Sequence, residues 1–242
     1  MAAFTLALEH GAAGVELDVR LAKDGVPVVV HDADLVRTGL RPGHISRLTS
    51  TELSKTEVGS WFNRLHPELA RSEYSGQNIP TLDRVLRLFK HADSASALIY
   101  AELKTDQAED TCAKLCEAVS DLFTRYELAH RVIVVSFALS ALKLMKQLNR
   151  AITTGALFEP KRSAVKSLTG RALIQTTLAC GAEEILLHRL TVTRPLVAKA
   201  RAANLRPVVW TVDNPQWVRD RLDLGLHAVI TNSPASLIRA LA

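Results

Sequence analysis

Short apolar runs of β type alternate with longer stretches of helical period along most of the chain. The runs fall at 14–19, 98–104, 132–136, 153–158, 184–187, 207–212 and 228–231. Helical patterns cover 81–91, 108–125, 139–149, 164–180, 193–203 and 215–224 between them, and 234–241 closes the chain. One helix per strand is the signature of a parallel sheet wrapped by crossover helices. Residues 1–10 read as the interior of an amphipathic helix, with Phe4, Leu6, Ala7 and Leu8 apolar and Gly11 stopping it.

One apolar run does not fit the parallel set. Val26 to Val30 follows Val19 after a short polar turn, Lys23-Asp24-Gly25. A parallel crossover needs a dozen or more residues, so this run must return antiparallel as a hairpin. With Leu21 paired to Val26, Glu16 falls opposite His31 and Asp18 opposite Val29. From Arg37 to Ile79 the pattern loses any period, broken by Gly39, Pro42, Gly43, Pro67 and Gly76. Compact domains rarely carry so long a structureless loop. The expectation is a small subdomain, 37–79, inserted over one end of a single domain spanning 1–242.

Length agrees, since 242 residues lie close to the ~250 of a (β/α)8 barrel. With 48% hydrophobic and only 5% aromatic residues, the core must be mainly aliphatic, as in a buried parallel sheet. The net charge of +5 comes from 30 basic against 25 acidic residues. The basic residues form no long run, and Lys161-Arg162 is too sparse for a nucleic-acid or membrane stripe. Cys112, Cys116 and Cys180 give no zinc spacing or disulfide framework and read as small buried hydrophobes. No stretch reaches the ~18 apolar residues of a transmembrane segment, and the start lacks the basic region of a signal peptide. The chain is expected to be cytoplasmic.

Glu16 and Asp18 alternate with Val15, Leu17 and Val19, so both carboxylates point to one side of a buried strand. Two unpaired anions there are costly, and a hard divalent cation, Mg²⁺ or Ca²⁺, would take this oxygen chemistry; the competing reading is a salt bridge to Arg20 or Lys104. Glu102 and Lys104 repeat the arrangement at the end of the next barrel strand, where barrels keep their active sites. Glu102 would complete a three-carboxylate site, and Lys104 would supply a point charge for a phosphate oxygen. His31 ends its apolar run beside Asp32, whose carboxylate is placed to orient the ring. His188, at another strand end, is the other histidine of interest.

The pieces Gly14-Val-Glu-Leu-Asp-Val19, Lys23-Asp24-Gly25, Pro27-Val-Val-Val-His-Asp32, Arg37-Thr38, Ile79-Pro-Thr-Leu82, Glu102-Leu-Lys104, Val135-Ser-Phe137, Val209-Trp-Thr-Val212 and Ile230-Thr231 together resemble the glycerophosphodiester phosphodiesterase family. The resemblance spans the chain. It implies an α/β fold, a TIM (β/α)8 barrel with a small inserted domain. It further implies Glu16, Asp18 and Glu102 as metal ligands, His31 as the proton-transfer residue and Lys104 near the phosphate. Members open with a strand ending in His-Arg-Gly, followed by Glu-Asn-Thr, and no counterpart occurs here. The first barrel strand is therefore expected to be missing, leaving an open barrel edge prone to self-association.

The activity implied is metal-dependent hydrolysis of a small-molecule glycerophosphodiester to glycerol 3-phosphate and an alcohol. Trp210 would wall the glycerol or alcohol moiety, with plain core packing as the competing reading. The competing functions are a lysophospholipase D-type enzyme, favoured by an apolar groove in the insertion, and a catalytically impaired phosphodiester-binding protein.

Overall fold

A computed structural model of the protein describes residues 1–90, 96–105, 109–160 and 169–241. The elements run α1 (Ala2–Glu9), β1 (Gly14–Leu21), β2 (Pro27–Val29), α2 (Ser50–Leu53), α3 (Ser60–Leu65), α4 (Leu82–Lys90), β3 (Leu98–Leu103), α5 (Glu109–Arg125) and β4 (Val132–Ser136). They continue with α6 (Leu139–Leu148), β5 (Thr153–Phe158), α7 (Gly170–Ala179), β6 (Glu184–His188), α8 (Arg194–Ala202), β7 (Arg206–Trp210), α9 (Pro215–Arg219), β8 (Ala228–Val229) and α10 (Pro234–Leu241).

All strands belong to one curled sheet, ordered β2-β1-β3-β4-β5-β6-β7-β8. Every neighbour from β1 through β8 is parallel except β2, which returns antiparallel on β1. The strand count matches the sequence pattern. Both faces of the sheet are covered, which is why its strands read as continuous apolar runs; all five residues of β4 are buried. Outward positions such as Val15, Leu17, Ile99, Ala101, Val132 and Val134 pack with Phe89, Leu115, Phe123, Leu142 and Met145 of the helices. The alternate positions, Tyr100, Ile133, Val135, Leu157, Leu186 and Val208, fill the concave side, with Phe137, Trp210 and Ile230 towards its upper rim. Cys116 and Cys180 are buried, as expected of small apolar side chains, and Cys112 is half-buried. The curl does not close. Among the described residues, β8 pairs only with β7, and no pairing joins β8 to β1.

The hairpin departs from expectation by one residue. Leu21 pairs with Pro27 and Val19 with Val29. The turn is tighter than the sequence reading has it, because Ala22 N–H donates to Val26 O at 3.0 Å and Gly25 N–H to Ala22 O at 3.0 Å. Gly25 makes this possible with φ +77°, the left-handed region glycine enters without steric cost. Such a slip moves a strand's side chains to its other face. Val30 N–H still donates to Asp18 O, but β2 has ended, so His31 reaches the rim of the sheet on a chain leaving strand geometry.

The 37–79 stretch forms short helices and turns, and its Ile45, Leu53 and Ile79 share one small apolar cluster with Leu35 and with Ala22 and Val28 of the hairpin. Thr49 and Glu52 cap α2 reciprocally: Glu52 N–H donates to the Thr49 hydroxyl at 3.3 Å, and Thr49 N–H donates to Glu52 Oε2 at 2.8 Å. Glu57 Oε1 accepts from the N–H groups of Gly59 and Ser60, both at 2.7 Å, and of Gly76 at 3.2 Å, gathering the ends of the α3 segment. The segment rejoins the barrel where Val29 N–H donates to Pro80 O.

Candidate active site

Parallel pairing of β1 and β3 sets Asp18 beside Glu102 and Glu16 beside Tyr100. Period-2 alternation turns Glu16, Asp18, Glu102 and Lys104 to the concave side. One oxygen each of Glu16, Asp18 and Glu102 lies within 4.8 Å of the others. The Lys104 ammonium sits 2.9 Å from Asp18 Oδ1 and 2.5 Å from Glu102 Oε1. The competing sequence reading, an ion pair with Lys104, is therefore present together with the cluster.

The charge balance distinguishes the two readings. Three carboxylates face one ammonium, and the fit to a hard divalent ion follows from what is left over. Desolvation by burial, with Asp18 and Glu102 adding repulsion, pushes the Glu16 carboxyl up to about 8 despite Lys104. Glu102 is also raised, first by burial, against the pull of Lys104. A half-buried oxygen cluster with residual negative charge is suited to Mg²⁺ or Ca²⁺, which take carboxylate oxygens and leave softer donors aside.

His31 stands at the rim with its side chain 54% exposed. Its Nδ1 lies 2.7 Å from Asp32 Oδ1, and buried Arg20 donates from Nε to the His31 carbonyl at 2.9 Å. Its charge is felt at Glu102, so the ring and the carboxylates share one electrostatic neighbourhood. The Arg37 guanidinium grips Asp32 with Nε to Oδ2 at 2.7 Å and Nη2 to Oδ1 at 3.1 Å. Partial burial raises the Asp32 carboxyl, but the hydrogen bonds from Arg37 and His31 outweigh it and hold it below the usual range. Arg37 in turn lies over the Trp61 ring, 4.8 Å from its centroid.

On the opposite strands, Trp210 makes edge contacts with Phe137 at 5.8 Å and with His188 at 5.2 Å between ring centroids. The indole Nε1 is buried without a hydrogen-bond partner among the described residues. His188 thus joins an aromatic group and not the carboxylates. Arg20, Arg37, Trp61 and Phe137 were not read as site residues from sequence. Arg20 does continue the Glu16, Asp18 alternation, whereas Arg37 and Trp61 give no local signal of meeting. Lys161-Arg162 lies outside the described residues. No helix among the described residues is long and apolar enough to cross a membrane.

The sequence pattern of the "Glycerophosphoryl diester phosphodiesterase family" matches residues 1–236. A "Glycerophosphodiester phosphodiesterase" of Bacillus subtilis is 33% identical over 91% of this chain and 73% of its own. One of Caldanaerobacter subterraneus is 28% identical over 98% of this chain and 89% of its own. Among solved structures, an Oleispira antarctica phosphodiesterase in complex with the product sn-glycerol-3-phosphate superposes with a TM-score of 0.81 at 24% identity, over 99% of this chain and 89% of that one.

Proposed function

Because the chain belongs to the glycerophosphoryl diester phosphodiesterase family, we propose that it hydrolyses a glycerol-containing phosphodiester to glycerol 3-phosphate and an alcohol in a reaction that depends on a divalent cation. The observation that carries the reading is the meeting of Glu16, Asp18 and Glu102 within 4.8 Å at the strand end where β1 and β3 pair. The product bound by the Oleispira antarctica relative is the one this reading assigns.

Glu16, Asp18 and Glu102 would hold the ion, which when bound supplies Lewis acidity at a phosphoryl oxygen. Lys104 adds a second positive charge beside the phosphate and keeps Asp18 and Glu102 close together in its absence. His31 transfers the proton, at Nε2, to the departing alkoxide or from the attacking hydroxyl, since Nδ1 is engaged by Asp32. Trp210 and Phe137 offer an apolar wall to the glycerol or alcohol carbons.

The test is release of glycerol 3-phosphate from glycerophosphocholine with Mg²⁺ or Ca²⁺, with chelator, and in the His31→Ala variant. Turnover should vanish with chelator and fall on the order of 10²–10⁴-fold in His31→Ala, the usual contribution of a positioned acid or base. Undiminished turnover after complete chelation would rule out the cation-dependent reading.

A further inference from the structure

We propose that Asp32, Arg37 and Trp61 form a positioning chain that fixes the tautomer and direction of the His31 imidazole, so that the inserted segment prepares the proton-transfer group. The inference rests on the assignment of His31 above and adds three residues to it.

Adjacent residues on a chain leaving a strand do not by themselves hold a fixed pose, and His31 is more than half exposed. What holds the pose is everything behind Asp32. A carboxylate 2.7 Å from Nδ1 keeps the proton on that nitrogen and leaves the Nε2 lone pair for exchange, the same logic by which a buried carboxylate selects an imidazole tautomer in acyl-transfer triads. Two parallel N–H···O bonds from Arg37 leave the carboxylate no free rotation, because a guanidinium fork fixes the plane of its partner as well as its distance.

Arg37 is itself half exposed, at 51% of its side chain, and a solvated ion pair alone is a weak tether. The Trp61 face supplies the missing constraint. Trp61 belongs to α3, whose segment is fastened by Glu57. From the barrel side, Arg20 holds the His31 backbone. The ring is thus held through the 37–79 segment and its backbone by the barrel, and only with that segment folded are both held.

The experiment follows the His31 ring nitrogens by long-range ¹H–¹⁵N NMR in wild type, Asp32→Asn, Trp61→Ala and Trp61→Phe, alongside kcat and KM for glycerophosphocholine. In wild type the neutral ring should carry its proton on Nδ1. Asp32→Asn should lose that bias and lower kcat by roughly 10- to 100-fold, the usual scale for a residue orienting a site group, with KM little changed. Trp61→Ala should shift both readouts the same way by less, and Trp61→Phe, which keeps an aromatic face, should recover most of the loss. Cation-induced thermal stabilisation should survive in all three, separating misplacement of His31 from collapse of the site. An unchanged tautomer and kcat in Asp32→Asn, where His31→Ala is inactive, overturns the positioning chain and leaves the role of His31 intact. Full turnover in His31→Ala overturns both.

Discussion

Glu16 carries the largest electrostatic strain in the site, and that strain has a sign. Its carboxyl is raised from 4.5 to about 8 by burial and by its neighbours Asp18 and Glu102. Between those values the folded protein keeps a proton that the unfolded chain has lost, so the contribution of Glu16 to stability is fully present below pH 4.5 and is lost as pH rises to about 8. Melting temperatures of chelated protein should therefore decline across that interval, and Glu16→Gln should flatten the decline. An equal slope in the variant would place the titration elsewhere. Mg²⁺ or Ca²⁺ should reverse the loss, adding about 2.7 kcal/mol at a hundredfold excess over Kd, and Glu16→Gln or Asp18→Asn should abolish this gain. These carboxylates were legible in the sequence because a period of two puts Glu16 and Asp18 on one side without any tertiary knowledge. The Asp32–Arg37–Trp61 chain was not, because a guanidinium meeting an indole across an aperiodic insertion depends on how that insertion folds.

Among the elements, the hairpin shows where local reading stops. The antiparallel return was forced by the short turn, yet its register was set by Ala22, Gly25 and Val26 hydrogen bonds that hydrophobic pattern does not encode, since Val26 to Val30 is apolar throughout. Past Val29, where β2 stops, the chain leaves the ladder, and His31 still acts electrostatically on Glu102. The 37–79 segment shows in the sequence only as a break in periodicity, and its order comes from a few specific contacts. Gly59 is one of them: a Cβ there would lie 1.7 Å from the Tyr74 carbonyl oxygen, a backbone atom with no rotamer to yield. Gly59→Ala should cost about 1–3 kcal/mol, the usual range for forced overpacking. Urea midpoints would measure it, and kcat should fall with them if α3 carries Trp61 out of place. A midpoint equal to wild type would mean the segment relaxes freely and carries little of the site.

At the scale of the molecule, the seven parallel strands follow from the sequence pattern, and so does their failure to close. A parallel sheet escapes edges only by closing, and here β8 and the Val15–Leu17 part of β1 keep one side without a strand partner among the described residues. Edges of this kind template pairing, so the 242-residue chain should associate with rising concentration, measurable by light scattering. A particle mass independent of concentration would mean that both edges are protected. The pairing of β1 with β3 also bears on time. Glu16 and Asp18 lie two residues apart on β1, whereas Glu102 lies beyond residues 37–79 and must wait for a much longer loop to close, a slower event. In refolding, the cation should be ignored by the early phase and captured only when β3 docks. Adding Mg²⁺ or Ca²⁺ should leave the folding rate nearly unchanged and slow unfolding instead, so that metal acts as a lock on the finished molecule and not as its nucleus.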